Sequence, residues 1–244
     1  MKIAVISDIH GNLAALEAVL ADIGRRSPDL IVNLGDTVSG PLQPFETAER
    51  LMELGLPTIR GNHERQLLTL PPEEMGSSDR FARQALHPTQ FAWMATLPPI
   101  LQVTEDVLLV HGTPDSDLTY FLETPENGAC RPATPQEVAA RAKTARASLI
   151  LCGHTHLPRM MQLDDGRLIV NPGSVGLQAF EDDVPFPHTV AAGSPHARYA
   201  LVERTNGIWQ VEMVAVGYDW NAAATLAERH GRPDWATALR FGRI

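Results

Sequence analysis

The chain has 244 residues, 44% hydrophobic and 20% charged, the profile of a globular protein able to bury its core without covalent staples. A formal net charge of −9 disfavours a broad basic surface for duplex nucleic acid, and the two cysteines, Cys130 and Cys152, suggest no disulfide framework and fit a reducing cytoplasm. No run approaches the roughly 20 apolar residues of a spanning helix, and the amino terminus "MKIAVISDIHGN" reads as neither signal peptide nor anchor.

In chain order, "KIAVIS" predicts a strand, and "NLAALEAVLADIGRR" a helix, with Leu13, Leu16, Val19, Leu20 and Ile23 at helical spacing. "DLIVNLGD" and "PFETAERLMELG" repeat the pair and "LPTIRGNH" adds a third strand, a βαβαβ run expected to form a largely parallel sheet. Residues 64–97 carry a helical pattern broken by Pro71, Pro72 and Pro88, which predicts two or three short helices. "PILQVT" and "VLLVHG" resume the strands, and "DSDLTYFLETPENGACRPATP" has the composition of a loop covering the site. "PQEVAARAKTAR" is a helix and "SLILCGHTH" a strand. Hairpins follow, turned at Asp165-Gly166 and at Asn206-Gly207. "NAAATLAERHG" predicts a last helix before a short tail. No repeat or linker divides the chain, so one α/β domain is expected over residues 1–244, with insertions at 64–99 and 115–135 and an extended loop at 177–197. That acidic loop, with Glu181, Asp182 and Asp183, reads either as a disordered surface insertion or as a restriction on large anionic substrates near the mouth, and His188 and His196 read as solvated.

In open α/β sheets, ligands bind beyond the carboxyl ends of the strands. Those ends carry Asp8 and His10, Asp36, Asn62 and His63, His111, then His154 and His156, so that five of the nine histidines lie there. Taken singly, an aspartate after a strand is a turn former or helix cap. Capping, however, requires neither histidine nor the arrival of five loops at one edge. Oxygen and imidazole donors without thiolate suit Mn²⁺, Fe, Zn²⁺, Co²⁺ or Ni²⁺ better than Ca²⁺ or a structural zinc. Seven candidate ligands exceed the needs of one catalytic ion with an open position and divide between two.

The segments "SDIHGN", "NLGD", "RGNHE", "VHG" and "GHTH", in this order, resemble the signature of the calcineurin-like metallophosphoesterase superfamily over about residues 1 to 205, and the chain looks most like its small prokaryotic phosphoesterase and phosphodiesterase group. The resemblance implies a four-layer αββα sandwich. It implies that Asp8, His10 and His156 bind one metal, that Asn62, His111 and His154 bind the other, and that Asp36 bridges them. It further implies hydrolysis of phosphodiesters, with monoesters also open, by a metal-bridging hydroxide, manganese being the first expectation for the ions. His63 matches the histidine that serves such enzymes as acid or transition-state stabiliser. Two divalent ions against two aspartates leave about two positive charges for a phosphate inside an acidic protein. Arg60 is a candidate clamp for a phosphate oxygen, and Asn12 either touches substrate or caps the following helix. Thr113 and Ser116 lack the base and orienter of a covalent mechanism.

One departure stands out. In the protein-phosphatase and diadenosine tetraphosphate hydrolase branches the second motif runs "GD", two residues, then Asp and Arg, whereas this chain has "GDTVSGP", with Ser39 and Gly40 at those places. The acid that would orient His63 is missing there, as is the arginine, which disfavours protein phosphatase activity. The expected partner is a small phosphate ester, with no membrane. Alternatives are a nuclease or nucleotide phosphohydrolase, the nuclease disfavoured by the acidic balance, and a catalytically retired scaffold, which would be expected to have lost ligands.

Overall fold

In the computed structural model, which describes residues 1–244, two sheets face each other across one apolar layer. The chain runs β1 (Lys2–Ile6), α1 (Leu13–Arg26), β2 (Leu30–Asn33), α2 (Pro44–Leu54), then α3 (Asn62–Thr69), α4 (Ser77–Ala85) and α5 (Pro88–Thr96). It continues through β3 (Ile100–Thr104), β4 (Val107–Val110), β5 (Glu123–Glu126), β6 (Ala129–Pro132), α6 (Pro135–Arg141), β7 (Leu149–Leu151), β8 (Arg159–Gln162) and β9 (Leu168–Asn171). The final elements are β10 (Ala179–Asp182), β11 (His188–Ala191), β12 (Ala197–Thr205), β13 (Ile208–Val216), α7 (Trp220–Arg229) and α8 (Pro233–Phe241). No helix is long and apolar enough to cross a membrane.

One sheet has the order β13-β12-β1-β2 and the other β3-β4-β7-β9-β8. Side chains alternate across a strand, so Ile3 and Val5 of β1 enter the layer between the sheets, against Val107, Leu109, Leu149, Leu151 and Val170. Ala4 and Ile6 point the other way, onto Leu16, Val19 and Ile23 of α1. The second sheet repeats this arrangement: Leu108, Val110 and Ile150 face Val138 of α6. Burial on both faces explains why these strands read as unbroken apolar runs. The result is the αββα sandwich that the resemblance implies.

Four expectations are corrected. The first sheet is mixed, because β12 and β13 join it antiparallel to β1. The third strand shrinks to one parallel bridge, Asn33 to Thr58, since Pro57 has no N–H to give a ladder and the chain enters α3 directly after Gly61. Residues 177–197 are not a solvated insertion: β10 and β11 pair from Ala179–Ala191 to Asp182–His188, and His188 is buried, its ring held between the Phe186 carbonyl at 2.7 Å and the Tyr120 hydroxyl at 3.0 Å. The tail forms α8, whose Trp235 and Leu239 pack on Ala223, Ala224 and Ala227 of α7. Pro233 at its first turn and the spacing of Trp235, Ala238 and Leu239 carry that helix.

Leu109 is fully buried between the sheets. Leu109→Ala is expected to cost about 2–5 kcal/mol in a urea titration, the loss of transfer energy plus the cavity left behind; a change below about 0.5 kcal/mol would contradict this packing.

Candidate active site

The candidate ligands sit where strands end and the backbone reverses. Asp8, His10, Asp36, His154 and His156 all have positive φ, between 51° and 69°, and they make up five of the seven non-glycine residues in that region. A non-glycine residue held there costs roughly 1 kcal/mol or more, so the surroundings must impose the conformation. They do so through hydrogen bonds between loops. The amides of Asp8 and His10 donate to the carbonyls of Gly35 and Asp36 at 3.0 Å, and the amide of Gly153 donates to His111 at 2.7 Å. The buried carboxylate of Glu64 accepts the amides of Asp36, Thr37 and Gly61 at 2.7–2.9 Å, tying the second and third loops together. Gly61 is obligatory, because a Cβ there would collide with the Asp36 carboxylate.

The ligand atoms of Asp8, His10 and His156 lie within 4.8 Å of one another, and those of Asp36, His111 and His154 do the same. Asn62 joins the second group, its Oδ1 at 3.1 Å from His111 Nε2. The Nδ1 atoms of His10, His111 and His156 face the carbonyls of Ser39, Leu34 and Leu177 at 2.6–2.8 Å, so each must carry a proton and leave Nε2 as the ligand atom. In His154 it is Nε2 that faces a carbonyl, that of Leu118 at 3.2 Å, leaving Nδ1 for the cluster. Between His10 and His156 the two Nε2 atoms stand 3.1 Å apart. Neutral rings would then oppose lone pair to lone pair, an arrangement that an intervening proton or metal cation makes attractive. The donor set therefore fits divalent metal ions.

Electrostatics separate the histidines. Burial, reinforced by His156, pushes His10 down to about 3, and burial with the neighbouring His111 pushes His154 down to about 4. Burial also opposes a charge on His111, but the Asp36 carboxylate 3.0 Å away outweighs it and raises that ring to about 10. His63 behaves similarly: Asp36 and Asp79 overcome its burial and raise it to about 9. Asp36 is held well below the carboxylate range because His111 and His63 overcome its own desolvation.

A cavity of about 630 Å³ opens over the site, and His10, Asp36, Asn62, His63, His154 and His156 line its floor. Asp8 and His111 lie buried beneath. Asn12 does not reach the cavity: its Oδ1 caps α1 at Ala15, and its Nδ2 donates to the Gly176 carbonyl and the Tyr218 hydroxyl. Arg60 is not on the cavity wall either. "NPGSVG" acts as a brace, with Ser174 Oγ donating to the Asp8 carbonyl at 2.8 Å and Asn171 Nδ2 to Gly153 at 2.7 Å. Sequence reasoning missed several residues. Glu64 had a signal, an acid at the third position of a helix after a capping glycine. Asp79, Phe180, Arg232 and Trp235 had none, because only the fold brings α4, β10 and α8 to the rim.

With this geometry in hand, comparison with known proteins decides the family: the calcineurin-like phosphoesterase superfamily domain matches residues 1–192. The chain belongs to this superfamily. It is a metal-dependent phosphoric ester hydrolase. Among curated proteins it is similar to the uncharacterised protein MJ0912 of Methanocaldococcus jannaschii, 26% identical over 248 residues covering 96% of this chain and 94% of that protein. It is also similar to phosphodiesterase YfcE of Escherichia coli K12, 29% identical over 188 residues, 72% of this chain and 80% of that one. A metallophosphoesterase crystal structure from Sphaerobacter thermophilus superposes with a TM-score of 0.74 at 25% identity, covering 98% of both chains.

The charge pattern makes metal uptake proton-linked. Near pH 7.5, His10 and His154 are already neutral, whereas His111, raised from 6.5 to about 10, keeps a proton that a metal must displace. Calorimetric titration of metal into metal-free protein, in buffers of different ionisation enthalpy, is expected to register release of about one proton, with affinity rising up to about tenfold per pH unit between pH 6.5 and 10. Uptake without proton release would contradict this assignment.

Proposed function

We propose that the protein hydrolyses small phosphodiesters, and phosphomonoesters at the same site, with two divalent cations, manganese first among them. Asp8, His10 and His156 hold one ion, Asn62, His111 and His154 hold the other, and Asp36 is shared. The observation that carries the reading is the pair of ligand clusters whose lone pairs converge, with His10 and His156 Nε2 at 3.1 Å. When bound, such a pair polarises phosphoryl oxygens and lowers the pKa of the attacking water toward about 7.

The chain's own residues supply the remainder. His63 lines the cavity with Nδ1 turned away onto Asp79 at 2.8 Å, so Nε2 is the atom that faces a bound ester. It gives its proton to the departing alkoxide oxygen as the P–O bond breaks. Arg232 is the only arginine or lysine on the cavity wall; it is ion-paired with Asp234 at 2.6 Å and donates to Ser78, and a phosphate oxygen reaching it competes with that carboxylate. Phe180, Leu177, Val184 and Trp235 also line the cavity, Trp235 with its ring under the Arg232 guanidinium, and give it apolar surface for an organic substituent. Glu181 and Asp182 also line the cavity and repel a long polyanion, which favours a small ester over a nucleic acid strand. The name of YfcE supports the diester reading, and two free cysteines, one buried and one half-buried, suit a reducing cytoplasm. A retired scaffold is disfavoured by the retention of every ligand.

Protein reconstituted with Mn²⁺ is expected to hydrolyse bis-p-nitrophenyl phosphate and to lose the activity in EDTA. Failure with Mn²⁺, Ni²⁺, Co²⁺ and Zn²⁺ alike would contradict the proposal. His63→Ala should keep both metals and lose about 10²- to 10⁴-fold in kcat, whereas Asp36→Asn should fail to retain metal. Arg232→Ala should raise KM about tenfold and, because Arg232 also holds Ser78 beside Asp79, lower kcat as well; an unchanged KM would remove that residue from the substrate site.

A further inference from the structure

The second motif has Ser39 where related branches carry an aspartate, yet His63 does not lack an acid. Asp79, in the first turn of α4 and 40 residues beyond Ser39, reaches back so that its Oδ1 accepts His63 Nδ1–H at 2.8 Å and Ser39 Oγ–H at 2.6 Å. Its side chain is only 3% exposed, against 28% for His63, so the carboxylate is enclosed while the imidazole keeps one edge in the cavity. The helix that delivers it is anchored: the amino end of α4 suits a carboxylate, and Arg232 of the cavity wall donates to Ser78 Oγ at 3.0 Å. Ser39 links this pair to the cluster, since its carbonyl accepts His10 Nδ1–H at 2.7 Å. A buried carboxylate with two short donors has one place to sit, and it allows the His63 ring one orientation.

We propose that Asp79 is the positioning residue for His63, an acid supplied by α4 in place of the aspartate absent at position 39, which holds Nδ1–H so that Nε2 points at the leaving-group oxygen. The inference rests on the proposed role of His63, and it predicts a loss that passes through that ring alone. Ser39 has turned from orienter into second donor, so the hydrogen-bonded pair is conserved in chemistry while its acid comes from another element.

The test has two arms. In manganese-loaded enzyme acting on phosphodiesters, Asp79→Asn is expected to lower kcat about 10- to 100-fold, more for alkyl than for p-nitrophenyl leaving groups, with KM and metal content unchanged. Added to His63→Ala, it should lower kcat by no more than about twofold, because the two residues act as one unit. Ser39→Asp combined with Asp79→Ala should recover part of the rate by returning the acid to the motif. Loss of metal in Asp79→Asn, additive losses with His63→Ala, or full kcat in Asp79→Asn would overturn the inference. Full kcat in His63→Ala would instead overturn the reading of His63, and this inference with it. The second arm requires no variant to fold: zinc-loaded, ¹⁵N-histidine-labelled protein should show a downfield Nδ1 proton for His63, the mark of a short bond to a carboxylate. Its absence from the wild-type spectrum would overturn the proposal.

Discussion

Two neutral imidazoles whose other ring nitrogens are already committed to carbonyls, with their free nitrogens 3.1 Å apart in a buried site, need a proton or a metal cation between them. Most of the surrounding structure bears on this constraint. His10 and His156 come from loops 146 residues apart in the chain, and each is pinned at Nδ1, so neither ring can rotate away to relieve the contact. The second cluster is resolved differently: His111, with Asp36 at 3.0 Å and Asn62 at 3.1 Å, has acceptors on every side and retains a proton where a cation would sit. Under the proposed assignment a cation would sit at both places, and an acidic chain would concentrate positive charge at one rim. Such a local excess of cation charge in a protein of net −9 would draw small anions to that rim while the remaining surface repels large ones.

Backbone strain follows from the same requirement. Holding Asp8, His10, Asp36, His154 and His156 at positive φ costs roughly 1 kcal/mol or more apiece, a load that a flexible loop would shed. The sandwich bears it because the loops emerge from strands locked between helices, and because Glu64, Asn171 and Ser174 stitch the loops to one another beneath the ligands. Glu64 shows why one buried carboxylate suffices. It satisfies three amides from two loops, although burial and then repulsion from Asp36 leave its carboxyl above the usual range.

Much of this was legible in the sequence, for a physical reason. Strand ends and their polar clusters are local, so "SDIHGN", "NLGD", "RGNHE", "VHG" and "GHTH" could be read without knowing how the sheets pack. Apolar runs buried on both faces likewise announce themselves. What stayed hidden depended on long-range placement. The mixed first sheet arises because β12, some 200 residues along, slots beside β1. The hairpin of β10 and β11 has short strands with only alternate burial, which its acidic composition masked. Asp79 sits in a helix whose sequence gives no hint of its partner, and α8 looked like a tail because two helices of three turns or fewer offer little periodicity. The missing acid at position 39 is visible in the sequence, whereas its replacement appears only where the fold brings α4 to His63.

The central claim is that these two clusters exist to cage a pair of cations. Anomalous scattering at the manganese edge, from crystals grown with an excess of the metal, tests it most directly. The account predicts two peaks about 3.5–4 Å apart, one against Asp8, His10 and His156 and one against Asn62, His111 and His154, with Asp36 between them. A single peak, or none with the side chains in their present positions, would contradict it.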